Sequence, residues 1–207
     1  MSYEDAKALF GNNFIGREQV NVLLSTMNEA PLPDDYMPVI PYSDALLKEK
    51  AASHLLILGF PGHKDKPLDI LKFRSVFGTD PDKFEPCLYN QDWYLNEAFV
   101  RSTLAPTWYL IKKEVFEDSR AVAPEVLLEG DIHFPSAILC VYTFFAFRLS
   151  CGDNLWYHDF VWCSDLDHNG DRIYVGKYHD IDGINKNGFS IHRHLALRPC
   201  YASITTL

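Results

Sequence analysis

The densest run of ligand-type side chains in this 207-residue chain is Asp165-Leu-Asp167-His-Asn169-Gly170-Asp171. Oxygen-bearing residues at alternate positions with glycine at the sixth are what a calcium loop needs, because glycine lets the backbone turn sharply round the ion. The twelfth position, where a bidentate glutamate would close the shell, is Gly176. The flanks also alternate like strands rather than helices. The same residues therefore spell an Asn-Gly hairpin turn whose side chains bond to their own backbone, and that is the stronger expectation.

The second constellation is rich in histidine. Five of the eight histidines, His158, His168, His179, His192 and His194, fall in the C-terminal region. His192 and His194 are spaced i, i+2, so on a strand they share one side and could grip one metal ion. Asp180 and Asp182 have the same spacing and could add carboxylates, giving a mixed site for zinc, iron or manganese. Against this stand solvated or hydrogen-bonded histidines on exposed strands, which is the commoner outcome.

Nucleophilic chemistry finds less support. Cys163 and Cys200 have histidines nearby, but no cysteine opens a helix that would depress its pKa, and no G-x-S-x-G elbow occurs. In Gly59-Phe-Pro-Gly62-His-Lys64 the glycines are too close for a phosphate loop, and no Ser or Thr follows the lysine. The aromatic pairs Trp93–Tyr94, Trp108–Tyr109 and Trp156–Tyr157, with Trp162, could anchor a partner. Alternating neighbours favour one ring of each pair entering the core.

Elements that would position these groups follow from periodicity and punctuation. Residues 4–29 read as a helix or helix pair interrupted at Gly11–Asn13, with Phe14, Ile15, Val20, Leu23 and Leu24 in its apolar stripe. Four prolines between Pro31 and Pro41 make an extended connector, and Ser43 caps a short helix beyond it. HLLILGF (54–60) and TWYLIK (107–112) read as buried strands, with 92–101 as a helix between them, which favours a β-α-β unit. Residues 61–90 form a long excursion with a short helix around 68–76. Ser136 opens an apolar helix from Ala137 to Leu149, and from Leu155 onward the period falls to two. All ten glutamates lie at or before Glu129, which reads as a boundary between helical and hairpin structure.

FGNNFIGREQV (10–20), QDWYLNEAF (91–99), TWYLIKKEV (107–115) and SDLDHNGDRIYVGKY (164–178) together resemble an uncharacterised bacterial protein family. Its members carry, in that order, an FG-x-N-F-I-G segment, a DWY helix, a W-Y/H-L-I/V-R/K strand and a D-G-D-R-V-Y-V-G hairpin. The resemblance covers most of the chain and implies common descent and a shared fold, with no activity, cofactor or partner attached. Where the family is aromatic and acidic near its C-terminus, this chain has IHRHLAL (191–197), so its histidines are a local departure.

Composition sets the outer limits. Apolar residues at 47% and aromatics at 14% furnish a real core. A net charge of −9 argues against nucleic acid or an anionic membrane as partner. The longest apolar stretch, Ala137–Phe147, is too short for ~30 Å of hydrocarbon. The N-terminal MSYEDAKALF has no secretory character, and five scattered cysteines with no C-x-x-C pair point to reduced thiols in a cytoplasm.

The expected fold is α+β, a mixed helix and strand N-terminal portion followed by a C-terminal antiparallel sheet. It forms one domain over 1–207, with a possible division into 1–130 and 131–207. The expected function is a non-catalytic protein-interaction or accessory module with no resident cofactor and an unspecified protein partner. The alternative is a divalent-metal-dependent enzyme, with hydrolysis as the candidate reaction, using His192, His194, Asp180 and Asp182.

Overall fold

A computed structural model describes residues 1–130, 132–179, 187–193 and 197–207. The fold is α+β, with helices and sheets mixed and an antiparallel C-terminal sheet. Its centre is α6 (Ala137–Cys151), whose sequence AILCVYTFFAF leaves no polar face. All eleven residues from Ala137 to Phe147 are buried, so the helix must be covered on every side. Its ends are set locally. The Ser136 hydroxyl accepts from Leu139 N, and Gly152 takes the left-handed conformation with its N–H on Arg148 O.

The N-terminal layer begins with α1 (Tyr3–Phe10) and α2 (Arg17–Thr26). Between them Phe14–Ile15 is a two-residue strand, β1, rather than part of a helical stripe. The sheet runs β1–β2–β5, with β2 at His54–Leu58 and β5 at Trp108–Lys112. Strand β2 lies parallel to β1 and antiparallel to β5, so the β-α-β expectation is overturned. A continuous apolar run announces burial on both faces, but it says nothing about strand direction. Every residue of β2 is buried, and Tyr142 from α6 donates to Leu58 O at 3.0 Å.

Between these strands, α3 (Asp44–Lys50) starts at Ser43, whose hydroxyl accepts from Leu46 N. The excursion 61–90 holds the hairpin β3–β4 (Gly62–His63, Lys66–Pro67) and α4 (Ile70–Phe77). Its end returns to the C-terminal region, where Tyr89 N donates to Phe189 O and Phe189 N to Cys87 O. Gly188 sits there at φ +138°, and a Cβ would lie 2.5 Å from Tyr89 N, so only glycine admits this approach. The helix expected over 92–101 is replaced by turns and a 3₁₀ segment at Ala98–Arg101. A five-residue helix, α5 (Pro124–Leu128), follows β5.

The C-terminal sheet has the order β8–β7–β6–β9, with β6 at Phe160–Leu166, β7 at Arg172–Gly176, β8 at Ser190–Arg193 and β9 at Tyr201–Ala202. The β8–β7–β6 part is antiparallel, whereas β9 pairs parallel with β6. Alternation sorts the side chains. Val161, Cys163, Ile173, Val175 and Ile191 join the main core with α6. Phe160, Trp162, Tyr174 and Tyr201 face the other way and form a second aromatic core with Phe134. The main core draws on residues from both 1–130 and 131–207.

Phe144 on α6 joins these parts, with ring centroids 4.6 Å from Phe189 and 5.3 Å from Tyr178. Replacing Phe144 with Ala should lower the unfolding free energy by about 3–5 kcal/mol, read as a drop in the urea midpoint. An unchanged midpoint would mean that the helix is not held by these rings.

Candidate functional site

The β6–β7 hairpin tip carries the chemistry-bearing residues. Asp167 N donates to Asp171 O at 2.9 Å and Gly170 N to Asp167 O at 3.0 Å, closing the turn. One oxygen of Asp167, Oδ1, accepts from both Asn169 N and Asp171 N at 2.8 Å. The other, Oδ2, accepts from Arg193 Nη1 at 2.6 Å. Glu97, just before the 3₁₀ segment, reaches the same tip from 71 residues away. It accepts from His168 N at 3.0 Å through Oε2 and meets His168 Nδ1 at 2.6 Å through Oε1. Arg193 in turn lies over Trp93, 4.9 Å from its ring centroid, and Trp93 Nε1 donates to Ile191 O at 3.0 Å.

Glu97 and Asp167 are both buried, so their charges require compensation on the spot. Burial pushes the Asp167 carboxyl up, but Arg193 and the N–H groups of Asp171 and Asn169 outweigh it and hold it at about 2. Glu97, Asp167 and His168 bring one ligand atom each within 4.8 Å of one another. They are the one such group of His, Cys, Asp and Glu among the described residues. Two carboxylates and an imidazole suit a divalent cation. Here Arg193 already supplies the cation, so the arrangement works as a latch between the hairpin tip and the 93–97 segment.

The calcium-type residues do not share one centre. Asp165 turns to the helix, its Oδ2 accepting from Ala137 N at 2.6 Å, and burial pushes its carboxyl up. Asp167 faces Arg193, and Asn169 is exposed. Asp171 lies on the opposite flank of the turn, in the wall of a cleft. Of the proposed histidine–aspartate metal set, Asp180, Asp182 and His194 lie outside the described residues. His192 packs against Tyr174, centroids 5.7 Å apart, with the Gln91 amide 2.7 Å from its Nε2. Burial, with Lys177 nearby, lowers its pKa to about 4. His179 stacks on Tyr157 and bonds Asn187 Oδ1 at 2.8 Å, with the exposed His158 ring 5.7 Å away.

Sequence reasoning overlooked Glu97 and Arg193. Arg193 alternates with His192 and so points to the other face of β8, where Asp167 lies. That signal was present in the spacing. Glu97 carried none, because nothing local ties it to a hairpin 71 residues on.

The outer face of the C-terminal sheet holds a different arrangement. A cleft of about 320 Å³ opens between the hairpin and α5, lined by Trp162, Asp171 and Arg172 on one side and by Pro124, Glu125 and Leu197 on the other. Trp162 is 3% exposed, yet its indole Nε1–H has no partner among the described residues. Arg172 Nε is likewise buried without one. Arg172 Nη1 does donate to Cys163 O at 3.1 Å, and its guanidinium lies 5.5 Å from the Phe134 centroid. No family model, curated protein or solved structure matches this chain.

Removing Arg193 strands the buried Asp167 charge. Arg193→Met should cost about 2 kcal/mol at neutral pH, less than a fully enclosed pair because Arg193 is partly exposed. Adding Asp167→Asn should recover at least half of the loss. The pH dependence follows from the signs. Asp167 is held at about 2, below its ordinary 3.8, so its contribution is full above that range and lost as pH falls toward 2. His54 and His192 are held at about 4, below 6.5, first by burial, so they favour the fold fully above pH 6.5 and lose that effect down to about 4. Urea midpoints should therefore fall in two stages, with His192→Gln shrinking the upper and Asp167→Asn the lower. A wild-type midpoint flat from pH 7 to pH 4 would refute the histidine assignment.

Proposed function

We propose that this chain is a non-catalytic protein-interaction module, with α5 and its surroundings as the docking surface. The observation that carries this is the composition of α5. A surface helix normally turns its apolar side chains inward. In α5 only Pro124 is buried, while Val126 is 57% and Leu128 42% exposed. Leu197, across the cleft, is 40% exposed. Grouped exposed apolar side chains mark contact surfaces more often than scattered ones do.

The groups able to do acid–base or nucleophilic work support the same reading. Burial pushes the Cys87 thiol up to about 11 and the Cys163 thiol well above its ordinary range. His54 and His192 stay neutral in their packed surroundings, while Glu97 is engaged by His168 and Asp167 by Arg193. A cytoplasmic setting agrees with five unpaired cysteines. No helix among the described residues is long and apolar enough to cross a membrane. A second reading, a divalent-metal-dependent hydrolase, draws support from the Glu97–Asp167–His168 group, and metal content near one ion per chain in untagged protein would favour it.

Val126→Asp with Leu128→Asp tests the first reading. Both side chains are exposed, so the melting temperature should move by no more than a few degrees. Capture of the host partner that immobilised wild type retains should be lost. Equal capture by the variant would remove α5 from the interface, and failure of wild type to retain any specific partner would end the reading.

A further inference from the structure

We infer that the cleft between the hairpin tip and α5 binds a small zwitterion of the α-amino-acid class. Its carboxylate is received by Trp162 and Arg172 and its ammonium by Glu125. This goes beyond the docking surface and does not depend on it.

The first observation is the pair of unmade hydrogen bonds. A buried donor left without an acceptor costs ~1–3 kcal/mol, and native interiors keep few of them. Trp162 is buried to all but 3%, and its Nε1–H has no acceptor among the described residues. The Nε–H of Arg172 lacks one there too. Both side chains line one cleft, so a single acceptor group seated there would answer both.

The second observation is charge. The bonds that Arg172 makes go to the neutral carbonyls of Cys163 and Ser164, and it forms no ion pair among the described residues. Asp165 lies within electrostatic reach of Arg172, but no carboxylate hydrogen-bonds its guanidinium among the described residues, so an anionic acceptor is favoured over a neutral one. A carboxylate is that acceptor. Phosphate is a poor occupant, because Glu125 stands on the same cleft and repels a second negative charge. A ligand that carries its own cation beside its carboxylate meets both conditions. Glu125, exposed on α5, takes the ammonium.

Size and lining agree. The volume of about 320 Å³ lies at the small end of ligand sites, which run from ~300 to 1,000 Å³. Pro124 and Leu197 give an apolar wall for a short aliphatic side chain. Both donor nitrogens are recessed beneath the cleft lining, so a ligand reaches them as the lining side chains shift.

Isothermal titration of the full chain with L-leucine tests the site. Saturable one-to-one binding is expected. 4-Methylpentanoate, which lacks the ammonium, 3-methylbutylamine, which lacks the carboxylate, and inorganic phosphate should each bind at least about tenfold more weakly. Trp162→Phe keeps the ring and removes the N–H, and should weaken leucine binding about tenfold. Should that variant fold poorly, Glu125→Gln on the exposed face of α5 serves instead. It should weaken leucine about two- to fivefold, the range for an exposed ion pair, and leave 4-methylpentanoate unchanged. No saturable heat up to about 10 mM leucine overturns the proposal. So does equal binding of phosphate or of either half-molecule, and so does leucine binding that neither substitution alters. The Val126→Asp/Leu128→Asp chain should still bind leucine, so loss of the protein partner and loss of this ligand are separate outcomes.

Discussion

The constraint on which the rest of this structure depends is the burial of α6. A helix with eleven consecutive buried residues has no side to show to water, so its neighbours are fixed by the need to cover it. Helix α2 and α4 pack on it, the inner face of the C-terminal sheet closes another side, and Tyr142 ties it to β2 through Leu58 O. Each cover is apolar on the side it presents and polar or differently employed on the other. The N-terminal and C-terminal halves are therefore parts of one core, because neither could bury α6 alone.

Covering the helix with a hairpin creates a second problem, which the tip solves. The turn brings Asp167 into a place where its side chain is enclosed, and an enclosed charge must find a partner. Arg193 provides it from the adjacent strand but one, and Trp93 supports the guanidinium from below. Glu97 then fastens His168 from the opposite segment. These contacts give residues 92–101 a reason to abandon the helix their pattern favours. Trp93, Tyr94 and Glu97 each have a distant partner to reach, at Ile191 O, the Arg74 side chain and the hairpin tip.

How far the sequence disclosed this varies with the kind of information each feature needs. Strands β2 and β5, helix α6 and the β6–β7 hairpin were legible because run length, flanking breakers and the Asn-Gly turn are local signals. Strand direction was not, and β2–β5 proved antiparallel. The glutamate boundary at Glu129 misled, since the longest helix lies beyond it. A helix buried all round has no exposed face for glutamate to occupy, so its absence there reflects burial and not a change to strands. Spacing at the tip disclosed a shared face but not a shared centre. Asp165 bonds Ala137 N at the α6 terminus while Asp167 turns to Arg193, so residues two apart serve different partners.

The two faces of the C-terminal sheet are also unequal in how firmly they are closed. The inner face meets α6 through Val161, Cys163, Ile173, Val175 and Ile191. The outer face carries rings with polar ends, including Trp162, Tyr174, Tyr201 and His192, beneath a cover of little substance. Helix α5 buries only Pro124, and β9 contributes two residues. The free energy of local opening rises with the apolar area and backbone bonds that must be given up. On that ground the outer cover parts long before the packing around α6 is disturbed. The unsatisfied donors of Trp162 and Arg172 lie under this weakly held cover and not in the main core. A group seated there could therefore change the outer surface that α5 presents while the fold beneath it stays as it is.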